Sequence, residues 1–184
     1  MNRLNYTPLI CHPATPCTAV EAIDITVERT AAGGLELCFR VHGAPAAILL
    51  PSPQPSGPAD QLWQHTCCEA FVSTVNQKNY QEFNFSPSGQ WAAYRFTDYR
   101  ERDTSFSPAG APIVALELQP NGFLLKAGLA PALLPADQTL QLGITAVIEA
   151  ADGRKSYWAL QHSAPQPDFH LRPSFTLTLN RNPP

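Results

Sequence analysis

The hexapeptide Tyr80-Gln81-Glu82-Phe83-Asn84-Phe85 sets a phenol, a carboxylate and an amide at every second position. In a strand, alternate side chains share a face, so Tyr80, Glu82 and Asn84 form one polar row while Phe83 and Phe85 point into a core. A second acid, Glu69, sits in the otherwise apolar run Cys68-Glu69-Ala70-Phe71-Val72. Trp63, Trp91 and Arg95 complete the candidate binding set. Aromatic planes match the C–H face of a sugar ring, and carboxylate, amide and guanidinium groups match its hydroxyls. Such a set could hold a hydroxyl-rich small molecule.

The same residues admit other chemistry. Glu69 and Glu82 on neighbouring strands could act as a glycosidase pair, whose separation would set retention or inversion. His65 and Cys67 share a strand face and could form a nucleophile with its base. Cys11-His12-x4-Cys17 has part of a zinc spacing but lacks a second ligand pair, and His162 and His170 flank a proline-rich loop across which they could meet. An aromatic face that docks a protein partner is a further reading. Each residue also has a structural reading: the tryptophans as core or rim plugs, the acids as a wet sheet face, Arg95 as an ion-pair partner of Glu82 or Glu69.

The elements that must position these groups read as strands. Thr66–Thr74, Asn79–Phe85 and Gln90–Thr97 are expected to form three, with Pro87-Ser88-Gly89 closing the second turn. Upstream, Leu4–Ile10 reads as an edge strand, and Ile23–Glu28 and Leu35–Val41 alternate cleanly around Ala31-Ala32-Gly33-Gly34. Pro51 to Pro58 is an irregular loop, and Arg100–Gly110 reads as an exposed one. Asn121-Gly122 and Asp152-Gly153 mark two further hairpins, Ile113–Leu118 with Phe123–Leu129 and Leu140–Glu149 with Ser156–His162. Ala130–Asp137 holds one helical turn, and Ser174–Leu179 ends the chain as a strand. About ten short strands with regular turn signals predict an all-β, antiparallel β-sandwich in a single domain over residues 1–184.

Composition narrows the function classes. The 184 residues carry a net charge of −3, only 15% charged residues and no Lys/Arg cluster, so no nucleic-acid partner is expected. The 44% hydrophobic share suffices for a core, and no apolar run is long enough for a membrane helix. Nineteen prolines favour short strands over long helices. Five cysteines, an odd number, and no recognisable export signal predict reduced thiols and a cytoplasmic protein.

The order Trp63, Glu69-Ala70-Phe71, Tyr80-x-Glu82-Phe83-Asn84-Phe85-x-Pro87-x-Gly89 and Trp91-x-x-Tyr94 resembles the core of the family 9 carbohydrate-binding modules and the DOMON-like proteins grouped with them. Tyr157–His162 and Pro167-Asp168-Phe169-His170 are similar to that group too, so the resemblance spans roughly residues 20–180. It implies a jelly-roll-like sandwich that binds a sugar in a blunt cleft without catalysis. By motif position, Trp63 would be one aromatic wall and Trp158 the second, with Glu69 a hydroxyl acceptor and Arg95 a donor. The acid-rich loop expected before Glu69 is here Gln64-His65-Thr66, so no metal is expected beside it. Some DOMON relatives hold haem through Met and His; with Met1 the only methionine, that pair is excluded, a bis-His pair is not, and no cofactor is expected.

Overall fold

The computed structural model describes residues 6–136 and 138–180. Among the described residues twelve antiparallel strands follow one another: β1 (Thr7–Cys11), β2 (Val20–Arg29), β3 (Leu35–Gly43), β4 (Cys67–Thr74), β5 (Tyr80–Phe85), β6 (Trp91–Asp98), β7 (Glu101–Arg102), β8 (Ile113–Gln119), β9 (Gly122–Leu129), β10 (Leu140–Glu149), β11 (Lys155–Ala159) and β12 (Leu177–Leu179). Hydrogen bonding runs β7-β6-β5-β4-β10-β11-β1-β2-β3-β9-β8, with β12 on β10. The path folds into two layers that meet at β1. The predicted all-β sandwich is the observed architecture.

Two expectations need correction. Part of Leu4–Ile10 lies outside the described residues, and the strand found there, β1, is no edge. Thr7, Pro8 and Leu9 pair with β2, while Ile10 and Cys11 pair with β11, so five residues stitch one layer to the other. The C-terminal alternation is also shorter than Ser174–Leu179: residues 172–174 form a 3-10 turn, and only Leu177–Leu179 pair with β10. Phe175 lies outside the strand, at the end of that turn. It packs on Gly143, where an added Cβ would come within 2.8 Å of Cδ1.

The interior between the layers is built from alternate residues of both. Ile23, Ile25, Leu37, Phe39 and Val41 from β2 and β3 meet Ala70, Val72, Phe83, Phe85, Ile144, Ala146 and Ile148 from β4, β5 and β10. Burial of that apolar surface is the main force holding the layers together. The hairpin between β8 and β9 turns at Pro120-Asn121, with Gln119 paired to Gly122. Gly122 has φ +139°, and a Cβ there would strike the Val41 carbonyl oxygen at 1.9 Å. Glycine is required at that position. All five cysteines are free thiols; Cys67 and Cys68, adjacent on β4, are both buried.

Candidate functional site

The polar row faces away from the interior. On the outer face of the sheet β6-β5-β4-β10-β11, Phe71 stands opposite Glu82, and Glu82 opposite Tyr94; Asn84 lies opposite Glu69, and Glu69 opposite Thr145. Val147 and its partner Tyr157 continue the face onto β11. A recess of about 420 Å³ opens here, with Glu69, Glu82, Phe71, Tyr94, Phe96 and Val147 contributed by the sheet. Two loops wall it: Asp60 and Trp63 on one side, Pro167, Phe169 and His170 on the other, with Arg100 and Arg102 at the rim.

Neighbouring structure fixes each polar group. Trp91 hydrogen-bonds through its backbone to Gly57 and Ala59, which ties the proline-rich loop to β6 and brings Asp60 to the recess. The Tyr94 hydroxyl donates to Asp60 Oδ1, and this bond, with the Gln61 N–H, holds the Asp60 carboxyl below its ordinary range. The Thr145 hydroxyl donates to Glu69 Oε2 at 3.0 Å, and Asn84 Nδ2 donates to Glu82 Oε1 at 2.8 Å. The Tyr80 hydroxyl lies 2.8 Å from His170 Nδ1 and accepts the Arg100 N–H at 3.1 Å. Arg100 pairs with Asp168 at 2.9 Å, and the Arg102 guanidinium lies 4.2 Å from the centre of the Tyr94 ring.

Burial dominates the electrostatics. Glu69 is 2% exposed and Glu82 6%. Desolvation drives the Glu69 carboxyl well above the ordinary range, repulsion from Glu82 adds to this, and the Thr145 hydrogen bond opposes it. Desolvation likewise raises Glu82 to about 7 against the pull of Asn84, Arg100 and Arg102. The same burial lowers His170 to about 4, so its ring is neutral at neutral pH. Two buried acids thus share a recess with donors and aromatic faces, an arrangement able to grip hydroxyls or exchange a proton.

Three of the eight sequence candidates, Trp63, Glu69 and Glu82, line this recess. Asn84 is fully buried and orients Glu82, and Tyr80 is buried behind His170 and stacked on Phe96 at 4.8 Å. The other three lie elsewhere. Register sets Trp91 opposite Phe85 and Arg95 opposite Gln81, out of phase with Glu82. Arg95 pairs with Asp103 at 2.6 Å rather than with Glu69 or Glu82, over the Phe106 ring. Trp158, opposite Ala146, belongs to the interior, and its indole N–H donates to Ser156. Arg95 instead borders a larger recess of about 580 Å³ with no carboxyl group among the described residues of its lining. The two alternative dyads also part company. Cys67 is sealed with its thiol pushed up by burial while His65 binds Glu149 at 2.7 Å; His162 meets His12, not His170, with ring centres 4.6 Å apart.

Sequence reasoning missed Asp60, Tyr94, Arg100, Arg102, Tyr157, Phe169 and His170 as lining groups. Tyr94 was within reach, because the tight Pro87-Ser88-Gly89 turn fixes which residue of β6 faces Glu82. Arg100 and Arg102 fall in a segment expected to be an exposed loop; residues 101 and 102 instead pair with β6 as β7.

No protein-family model matches the chain, and no curated protein matches its sequence. Solved structures do match its fold. A candidate carbohydrate-binding protein of Bacteroides uniformis superposes with a TM-score of 0.70 at 14% identity, over 94% of this chain and 84% of that one. A family 9 carbohydrate-binding module of Caldicellulosiruptor kristjanssonii, solved with glucose, gives 0.61 at 11% identity, over 98% and 87%. A family 9 module of the same organism, solved with cellotriose, gives 0.52 at 11%, over 86% and 73%. At such identities the likeness is one of fold, and it is to the family that the central motif resembles.

Proposed function

We propose that the outer-face recess binds a carbohydrate or related polyol without transforming it. The observation that carries this reading is the convergence of Trp63, 48% exposed and able to stack on a sugar, with two buried carboxyl groups in one recess of small-molecule size. The folds of sugar-binding modules, seen above, support it. Glu69 and Glu82 accept from or donate to ring hydroxyls according to their protonation, while Asp60 and Arg102 serve the rim. Because water competes for the same hydroxyls, affinity is weak to moderate. Calorimetric titration with mono- and disaccharides tests the reading. Glu82→Gln is expected to weaken the best ligand about tenfold, the value of one charge-assisted hydrogen bond. Undiminished affinity in that variant would remove Glu82 from the site.

A second reading rests on the Glu82 carboxyl held at about 7 beside another acid, a state suited to proton transfer. It makes the pair a glycosidase centre. Turnover of chromogenic glycosides that disappears in Glu82→Gln would favour it, and the absence of turnover across such a panel would leave binding alone.

A further inference from the structure

Charge around the recess is balanced at the rim and unbalanced at the floor. Arg100 has Asp168 at 2.9 Å. Arg102 lies over Tyr94 and helps hold the Asp60 carboxylate in its charged form. Among the described residues Glu69 and Glu82 have only neutral partners, the Thr145 hydroxyl and the Asn84 amide, within hydrogen-bond distance, and Arg100 and Arg102 act on Glu82 only from farther off. The nearest basic group to Glu82 is His170, with Nε2 at 3.8 Å, and its ring is neutral at neutral pH. Among the described residues the Thr145 bond to Oε2 is the single hydrogen bond to the Glu69 side chain, leaving Oε1 of a 98% buried acid for a ligand that enters the recess.

We propose that the ligand is an amine-bearing sugar, its ammonium seated between Glu69 and Glu82 and its ring against Trp63; this rests on the polyol-binding reading above. A buried acid without a cation keeps its proton, because the bare carboxylate is costly to desolvate. An ammonium arriving at the floor removes that cost for one acid: one carboxyl proton passes to solvent and the ligand's single charge takes its place, while the other carboxyl keeps its proton and donates or accepts as a neutral group. The walls suit a cation as well, since the rings of Tyr94, Tyr157 and Phe169 surround the same space. A neutral sugar has no charge to offer the two acids. An acidic sugar would set its carboxylate beside them, and the rim cations are already engaged.

The test is calorimetric titration of the full chain at neutral pH with glucosamine, glucose and N-acetylglucosamine. Glucosamine is expected to bind at least about tenfold more tightly than the other two, as a desolvated charge pair allows. Its binding heat is expected to change with the ionisation heat of the buffer, because up to one proton is released; that of glucose is not. In Glu69→Gln/Glu82→Gln, confirmed as folded by a cooperative melt, the preference is expected to vanish. Glucose binding as tightly as glucosamine overturns the amine proposal and leaves the polyol reading standing. Binding of none of the three overturns both. Cyclohexylamine binding as tightly as glucosamine overturns the sugar part, since the hydroxyls would then contribute nothing.

Discussion

The sheet β6-β5-β4-β10-β11 is buried on both faces, and the two faces are buried in different ways. The inner face carries Ala70, Phe83, Phe85, Ile144 and Ala146 against a second sheet, with no carboxyl group among them. The outer face carries Glu69, Phe71, Glu82, Tyr94 and Val147, the intervening residues of the same strands, under loops and the rings of Phe169 and Phe175. A sheet packed on a sheet interdigitates at crystal-like density and leaves no room for an acid. Loops cover less completely. They leave a recess in which two buried acids hold their protons more tightly than in water.

The largest expected effect separates the two kinds of burial. Phe83→Ala should destabilise the fold by about 3–5 kcal/mol in a denaturant titration, as deep aromatic truncations do. Phe96→Ala on the outer face should cost clearly less, because its ring already borders the recess. Equal losses would mean the outer face is as tightly packed as the inner.

Next comes pH. The folded Glu82 carboxyl, at about 7, lies above its ordinary 4.5, so the folded state holds the proton more tightly than the unfolded chain. Its contribution is therefore fully present below pH 4.5 and lost as pH rises to about 7, a change of a few kcal/mol by linkage. His170 runs the other way: lowered from 6.5 to about 4, it contributes stability above pH 6.5 that is lost as pH falls. The stability difference between wild type and Glu82→Gln should fall across pH 4.5–7, whereas that between wild type and His170→Asn should rise across pH 4–6.5. Flat differences would place both groups in contact with bulk water.

Smaller effects sharpen the assignment of the aromatic groups. A bound sugar should alter tryptophan emission through Trp63, so the signal should vanish in Trp63→Phe and persist in Trp158→Phe. The reverse pattern would put the ligand on the inner face. Arg95→Ala is expected to change ligand affinity least, since its guanidinium pairs with Asp103 beside the other recess. A severalfold loss in a calorimetric titration would return Arg95 to the site.

Much of this was legible from alternation on single strands. The faces of Tyr80, Glu82 and Asn84 against Phe83 and Phe85 follow from the two-residue period, as do the inward rows of β2 and β3. Trp158 shows where that reading stops. Its strand offers two aromatic neighbours, Tyr157 and Trp158, and alternation says only that they oppose each other. The pairing of Tyr157 with Val147 sends the smaller ring to the recess and the larger to the interior. Arg100, Arg102 and His170 were beyond reach for another reason: they come from segments whose course is set by what they cover.

Sequence alone determined most of the strands, their turns and which residues of each strand stand together, because these follow from local backbone geometry and solvent preference, but not β7 or the length of the last strand. Tertiary structure decided the phase between strands and the paths of the covering loops. A shift of one residue in pairing exchanges the two faces of a strand, so only the assembled sheet settles that Glu69 and Glu82 meet Trp63 while Trp91, Arg95 and Trp158 do not.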